Sequence, residues 1–251
     1  MLALMACSPP EPRGIVSLHD TTTEIVVGLG KADELVAVME PEFLSPAALE
    51  AVRDLPRLGA PVSAETLAAL RPRVVVGTED VTEHQPELAA WPGAVWIDPV
   101  GLDGLWRSVE QVGSAIGAPT DAWLAGLKSR VPAPVDGDVP VFVYDCCEPP
   151  VTMGARAPLT ELLARMGARN VFDGLDQDWG RVSWEAALVA KPRLVIVNDY
   201  SGEGEAEAKV AVAKARFPDA DTVVLPLALA LEGPRTLEAV EVLRPAIEGA
   251  R

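Results

Sequence analysis

The residues best suited to binding chemistry follow the ends of predicted strands. The chain has only two histidines, His19 and His84. His19 and Asp20 come directly after residues 14–17, which have the pattern of a short buried strand. Because α/β sheets place ligands at the carboxyl ends of their parallel strands, His19 is a candidate ligand contact. The alternative is that Asp20 only orients His19 as a local helix cap. His84 lies in a polar stretch and is predicted to be a solvated loop residue.

A second strand end opens the most unusual segment of the sequence, residues 144–154. Two thiols, a thioether and carboxylates occur there, a donor set that suits a soft metal. The alternative is that the cysteines act as small apolar side chains beside a rigid diproline turn. We expect a loop that lines a cleft without ligating a metal directly. Cys146 and Cys147 are adjacent, which is neither a CxxC motif nor a zinc knuckle, and a disulfide between neighbours requires strained geometry.

Later strand ends add further candidates by the same argument. Asp199–Tyr200 and Glu232–Arg235 both follow apolar segments with a strand pattern. Trp179 and Trp184 flank a glycine turn, where a flat apolar ligand can stack, although core packing explains these side chains equally well.

Several enzyme classes lack their motifs in this chain. Gly28 and Gly30 end a helix, and Asp33 stands where a dinucleotide-binding loop has its third glycine. The sequence contains no P-loop, no HExxH and no GxSxG elbow. Two histidines exclude a three-histidine metal cage and leave a free metal-ion receptor poorly supplied with ligands. A chelatase or metal-insertion enzyme stays open, using His19 and the Cys146–Cys147 loop.

The composition is that of a globular protein with an acidic surface. Of 251 residues, 49% are hydrophobic and 23% are charged, which suffices for a full core. The 21 Lys and Arg residues are outnumbered by 37 Asp and Glu, giving a net charge of −16. Because nucleic-acid backbones are bound through clustered basic residues, this balance disfavours a nucleic-acid partner.

Short apolar strands alternate with helices, which predicts an α/β fold. After Pro99, helical periodicity replaces this alternation for about thirty residues. We expect two small three-layer α/β lobes with parallel sheets, joined by a long helical bridge, with a ligand cleft between the lobes. The expected units are a truncated signal and Pro-rich tether (1–12), an N-terminal lobe (13–99), a helical bridge (100–138) and a C-terminal lobe (139–251).

A repeat relates the two expected lobes. Residues 63–76 align without gaps on residues 183–196, an offset of 120 residues. In each copy a serine can cap a helix, Glu65 or Glu185 lies beside the positive end of the helix dipole, and Pro-Arg leads into a buried strand. Either the fold reuses a common helix–strand unit, or two related lobes face each other across a cleft.

The N-terminus contains Leu-Met-Ala-Cys at residues 4–7, which resembles a bacterial lipobox. In such a motif the cysteine carries lipid after cleavage. The basic and most of the apolar part of a signal peptide are missing, which a start codon placed too late would explain. We expect a lipid anchor at Cys7, followed by a tether that holds the fold off the membrane. The alternative is a ragged N-terminus with a chance cysteine.

Across nearly all of residues 13–245, the chain resembles the class III solute-binding proteins of bacterial ABC importers, which serve cobalamin, haem and ferric siderophores. The segments that carry the resemblance are 14–30 with 35–38, 63–76, 167–172 with 179–185, and Gly233–Arg235. The resemblance implies two lobes bridged by one stiff helix, so that closure on the ligand is slight. It also implies that Glu65 and Glu185 pair with arginines of the permease and that Trp179 packs against the ligand.

The implied function is the capture of a metal chelate and its delivery to the permease. The receptor is expected to be a monomer without catalytic residues or a cofactor, lipid-anchored in the periplasm or at the cell surface. The candidate ligand-binding residues follow strand ends in both lobes; they are His19, Asp20, Glu40, Tyr144, Cys146, Cys147, Met153, Arg156, Trp179, Tyr200 and Arg235.

Some positions depart from the family's pattern and leave the ligand open. Val151 and Leu58 stand where cobalamin binders carry aromatic residues, and Ala60 stands where haem binders often carry a tyrosine ligand. Catecholate siderophores usually meet several basic residues. Near the candidate loops the basic residues are Arg156, Arg181 and Arg235.

Overall fold

The computed structural model of the chain describes residues 14–200 and 205–251. Cys7 and the predicted tether therefore lie outside the described residues. The N-terminal lobe contains, in order, β1 (Ile15–Ser17), α1 (Asp20–Gly28), β2 (Leu35–Met39), α2 (Pro46–Ala51), β3 (Arg57–Leu58), α3 (Ala64–Leu70), β4 (Val74–Thr78), α4 (Glu79–His84) and β5 (Ala94–Ile97).

Two helices connect this lobe to the second one, α5 (Gly101–Ile116) and α6 (Asp121–Ser129). The C-terminal lobe continues with β6 (Val139–Tyr144), β7 (Val151–Met153), α7 (Pro158–Arg165), β8 (Ala168–Asn170), β9 (Trp179–Arg181), α8 (Trp184–Val189), β10 (Leu194–Asp199), α9 (Glu205–Arg216), β11 (Asp221–Pro226) and α10 (Ala239–Gly249).

The sheet of the N-terminal lobe has the strand order β3-β2-β1-β4-β5, and its strands pair in parallel. Both β1 and β4 are buried along their whole length, as expected for central strands covered by helices on two faces. The order reverses between β1 and β4. Because the connections then leave the sheet toward opposite faces, a crevice opens at the carboxyl ends of these two strands.

The sheet of the C-terminal lobe is built in the same way, with the order β11-β10-β6-β8 and parallel pairing. Its order reverses between β6 and β10. An antiparallel ribbon of β7 and β9 lies beside it. The expected α/β fold of two lobes with parallel sheets is thereby confirmed.

Helix α5 packs into a core that both sheets share. Its buried apolar residues recur at helical spacing, so one face points inward along the whole helix. At its start, the backbone N–H of Gly101 donates to the carbonyl of Arg156 at 2.8 Å, and that of Leu102 donates to the Glu161 carboxylate at 3.1 Å. One hydrophobic cluster contains residues of α5 and of both sheets, among them Val109, Val112, Ile15, Val76, Val141 and Ile196.

The sequence repeat is also a repeat of local geometry. Ser63 and Ser183 each accept a hydrogen bond from the backbone N–H three residues further on, at 3.1 Å in both cases. Eight residues after each serine the backbone enters the left-handed region, with φ of 51° at Arg71 and 47° at Lys191. The alignment therefore identifies two equivalent turns from a capped helix into a central strand.

Some elements escape prediction because they are short or weakly patterned. Strand β3 has two residues and the ribbon strands have three each, too few for an alternation to appear. Helix α9 is rich in Glu, Ala and Lys and has little amphipathic contrast. Within the described ranges, no helix is long and apolar enough to cross a membrane.

The shared core predicts that truncating a buried side chain of α7 destabilises the whole fold. Leu163 is fully buried in the cluster that also holds α5. Leu163→Ala should lower the free energy of unfolding by about 2–5 kcal/mol, because a cavity replaces packed methyl groups. Leu188→Ala, at a position that is 44% exposed, serves as the matched control and should cost less than about 1 kcal/mol. Urea denaturation measures both; equal, small losses would contradict a shared core.

Candidate functional site

A cavity of about 480 Å³ lies between the lobes, at the crevice opened by the strand order of the N-terminal sheet. His19 follows β1, Glu40 follows β2, and α4 supplies Asp80 after β4. The C-terminal lobe closes the opposite side with the segment 228–235. The predicted cleft between the lobes is thus present. Its apolar lining consists of Leu18, Met39, Phe43, Ala60, Val81, Ala228 and Leu231.

Two carboxylates on successive turns of α1 hold one wall of the cavity in place. Asp20 Oδ2 accepts hydrogen bonds from the backbone N–H groups of Glu42 and Phe43, at 3.0 and 2.7 Å. Glu24 accepts from the backbone N–H and the hydroxyl of Ser45. Charge-assisted bonds of this kind are stronger than neutral ones. Asp20, a predicted ligand contact, therefore positions the wall that carries Phe43.

His19 caps helix α1 and also lines the cavity. Its Nδ1 accepts a hydrogen bond from the backbone N–H of Thr21 at 3.1 Å. Burial lowers the pKa of His19 below its ordinary value, against the opposing effect of Asp20 and Asp80. A ring nitrogen that accepts carries no proton, so the neutral ring carries its proton on Nε2. The capping role considered from sequence is present, and contact with a ligand stays a prediction.

His84 contradicts its prediction as a loop residue, because it is the last residue of α4 and lines the cavity. Its Nδ1 lies 2.9 Å from the carbonyl oxygen of Asp80, one helical turn earlier, and its side chain is largely exposed. The polar segment around it has no apolar periodicity, which is why the sequence gives no signal for this helix.

Two hydrogen bonds join the lobes beside the cavity. The hydroxyl of Thr21 donates to the carbonyl oxygen of Glu232 at 2.8 Å. Arg235 Nη1 donates to the carbonyl oxygen of Phe43 at 2.7 Å. Sequence reasoning missed Thr21 and Phe43; for Thr21 the available signal was the run of three threonines in the first turn of α1.

A partly buried carboxyl group and a tryptophan meet at the same boundary. Trp179 Nε1 donates to Glu232 Oε1 at 2.9 Å. Burial raises the pKa of Glu232 to about 7, and the negative charges of Asp178 and Asp80 act in the same direction. Trp179, predicted to pack against the ligand, thus has its indole N–H engaged by Glu232 and lies outside the lining of the cavity.

Two predicted contacts of the C-terminal lobe belong to its core instead. Tyr144 is buried and packs edge-on against Trp184, with 5.1 Å between ring centroids. Met153 is fully buried. Both side chains end a strand but point into the hydrophobic core, so neither lines the cavity. This corrects their assignment as ligand contacts.

The adjacent cysteines form a disulfide with each other. From the sequence, a disulfide between neighbouring cysteines is expected to be disfavoured because it requires strained geometry. Cys147 has a φ of 78°, in the left-handed region, within the turn between β6 and β7. Joined in this way, Cys146 and Cys147 carry no thiolate for a metal, and they lie outside the cavity lining.

Tyr200 serves a buried carboxylate. Its hydroxyl donates to Asp145 Oδ2 at 2.6 Å, while Asn198 donates to Oδ1 at 2.9 Å. Burial, together with the bond to Asp145, raises the pKa of the Tyr200 hydroxyl well above its ordinary value. The hydroxyl therefore stays protonated, and the cluster stabilises the loop that follows β6.

Glu65 and Glu185 are exposed at the second positions of α3 and α8. Two hydrogen bonds lower the pKa of Glu185. The larger effect comes from the backbone N–H of Glu185 itself and the smaller one from the Ser183 side chain. Both carboxylates thus occupy equivalent, negatively charged positions, one in each lobe.

Within residues 14–200 and 205–251, no group of three or more His, Cys, Asp or Glu side chains is arranged to hold a metal ion. The cysteines that a chelatase-type enzyme would use are joined in the disulfide.

Comparison with known proteins gives a consistent result. The sequence model of the family described as "Periplasmic binding protein" matches residues 15–215. A vitamin B12-binding protein of Photorhabdus laumondii is 22% identical over 197 residues, 74% of this chain and 71% of that protein. A periplasmic binding protein of Veillonella parvula superposes with a TM-score of 0.81 at 21% identity, covering 96% of this chain and 93% of the other. A periplasmic haem-binding protein of Vibrio cholerae gives a TM-score of 0.72 at 19% identity, covering 93% and 98%.

The raised pKa of Glu232 predicts a pH-dependent stability. Between pH 4.5 and about 7 the folded chain holds a proton that the unfolded chain has released. The contribution of this group to the free energy of unfolding therefore falls as the pH rises through that window. Relative to Glu232→Gln, the wild type should lose on the order of 2 kcal/mol across it.

Urea titrations at a series of pH values measure this difference. Glu248→Gln, at an exposed position of α10, is the control and should run parallel to the wild type. A parallel profile for Glu232→Gln as well would show that Glu232 titrates normally.

Proposed function

The chain belongs to the periplasmic binding protein family, and we propose that it is the extracytoplasmic receptor of an ABC importer that captures a metal chelate such as cobalamin, haem or a ferric siderophore. Members of this family are transport receptors and not enzymes. The vitamin B12-binding relative and the haem-binding structure support this class of cargo.

The observation that carries the proposal is the cavity between the lobes. It lies where parallel α/β sheets bind ligands, it has contributions from both lobes, and its lining is largely apolar with polar groups at the edge. A flat or globular chelate presents such a mixture of apolar surface and polar periphery. Capture there requires no reacting group, and the structure gives His19 a capping role and Asp20 hydrogen bonds to the cavity wall.

Docking on the permease is assigned to Glu65 and Glu185. One such carboxylate is exposed in each lobe, on helices whose caps and following turns are equivalent. Two negative charges presented in this way complement two positively charged patches of a symmetric partner, which steers association and fixes its orientation. The lipid anchor at Cys7, with the tether behind it, is part of the same proposal and would keep the receptor near the permease.

Ligand capture is tested by mixing the purified protein with haem, cobalamin and ferric siderophores and following absorbance and tryptophan fluorescence. One chelate should bind with a stoichiometry of one and remain chemically unchanged. Exchange of metal into or out of the chelate would favour the chelatase alternative, and absence of binding by all of them would contradict the proposal.

Filling the cavity should weaken this binding. Ala228 lines the cavity, whereas Ala47 is exposed on α2. Ala228→Trp should weaken the tightest chelate by roughly tenfold or more, equivalent to about 1.4 kcal/mol. Ala47→Trp should leave the affinity for this chelate unchanged. Circular dichroism should show that both variants keep the wild-type fold. Unaltered affinity in Ala228→Trp would place the ligand elsewhere.

Reversing the docking charges should block transport without affecting capture. The double variant Glu65→Lys/Glu185→Lys is expected to abolish uptake of the bound chelate by cells that carry the cognate permease, while its dissociation constant stays within about twofold of wild type. Glu241→Lys/Glu248→Lys, which makes the same change of charge at exposed positions of α10, should transport normally. Normal uptake by the Glu65/Glu185 variant would remove these residues from docking.

A further inference from the structure

The ionisable side chains that line the cavity are mostly acidic. The carboxylates are Asp20, Glu24, Glu40, Glu42 and Asp80, and the arginine among the lining residues is Arg235. The two histidines do not reverse this balance. Burial lowers the pKa of His19, so its ring is neutral at pH 7. His84 lies 3.5 Å from the carboxylate of Asp80, so any positive charge on it is paired.

The acidic residues differ in whether their carboxylates already have hydrogen-bond or ion-pair partners. Asp20 and Glu24 are satisfied by backbone N–H groups and a hydroxyl. Glu40 and Glu42 are exposed at the rim. Among the ion pairs between described residues, neither of these two takes part. The rim therefore presents two carboxylates whose charge a ligand meets directly.

The positive charge of Arg235 is partly offset by a neighbouring carboxylate. Its guanidinium donates to the carbonyl oxygen of Phe43 at 2.7 Å and lies 3.7 Å from the carboxylate of Glu238. Its side chain is only 17% exposed. It links the lobes, and the Glu238 carboxylate beside it offsets part of its positive charge.

Two other arginines lie near the strand-end loops. Arg156 lies 3.3 Å from Asp98 and 3.7 Å from Asp178, so two carboxylates share its charge. Arg181 donates to the carbonyl oxygen of Pro149 at 3.4 Å. Neither lines the cavity.

From this distribution we propose that the cavity selects neutral or cationic chelates and discriminates against anionic ones. An anionic chelate would leave water for a site whose arginine already pairs with Glu238 and whose rim is negative, and burying an unpaired charge is costly. A cation is attracted by Glu40 and Glu42, and a neutral chelate avoids the penalty altogether. The selection by charge rests on the proposed function, since it assumes that a metal chelate occupies the cavity.

Titration with chelates of graded charge tests the proposal. Suitable probes are cationic ferrioxamine B, its neutral N-acetyl derivative, neutral cyanocobalamin, haem with its two propionates, and an iron(III) tris-catecholate with three negative charges. The tightest binder should be neutral or cationic, and ferrioxamine B should bind at least as tightly as its neutral derivative. Tightest binding of haem or of the tris-catecholate would overturn the charge selection while leaving the proposed function intact. Failure of all five to bind would overturn both.

Removing the rim charge provides the second test. In Glu40→Gln/Glu42→Gln, the ratio between the dissociation constants of the tris-catecholate and of the tightest chelate should shrink by about three- to tenfold, as expected for two partly screened charges. Raising the salt concentration should shrink the wild-type ratio in the same direction. The control Glu241→Gln/Glu248→Gln carries the same change of net charge away from the cavity lining and should keep the wild-type ratio. An unchanged ratio in the rim variant would overturn the proposal.

Discussion

The packing of the buried face of α5 against both sheets holds the two lobes together. Its apolar residues lie in one core with strands of both sheets, and its first N–H groups are bound by the C-terminal lobe. Moving the lobes far apart would expose this core to water, which is unfavourable in proportion to the apolar area uncovered. We therefore expect the cavity between the lobes to be largely formed before a ligand enters, with only slight closure.

Hydrogen bonds also join the two lobes around the cavity. Asp20 holds the wall that carries Phe43, and Phe43 in turn receives Arg235 from the other lobe. Thr21, the residue after Asp20 in α1, donates a hydrogen bond from its hydroxyl to the carbonyl oxygen of Glu232. The groups that join the lobes thus include Arg235, the arginine among the residues that line the cavity. We expect a cavity that is formed before the ligand binds and whose ionisable lining residues are mostly acidic.

The sequence predicts the sheets, the helical bridge and the capped repeat well because these depend on local patterns: runs of apolar residues, helical periodicity and serine caps. Of its candidate residues, His19, Asp20, Glu40 and Arg235 line the cavity. The first three come soon after the ends of β1 and β2, whereas Arg235 lies in a short helical turn of the other lobe. The C-terminal candidates were less successful. Tyr144 lies two residues after Phe142 on β6, so both point to the same face and stack in the core, with 6.3 Å between ring centroids. Proximity to a strand end does not determine side-chain direction, and the contacts between the lobes join residues about 200 positions apart.

In the proposed function, a chelate is held between the carboxyl ends of the N-terminal strands and the segment 228–235. The most direct measurement is a crystal structure of the protein with the chelate that it retains from expression or binds most tightly. We expect the ligand to lie against Phe43 and Leu231, with its polar edge toward Glu40 and Glu42. A ligand bound outside this cavity, or held by a displaced Arg235 that has released Phe43, would contradict it.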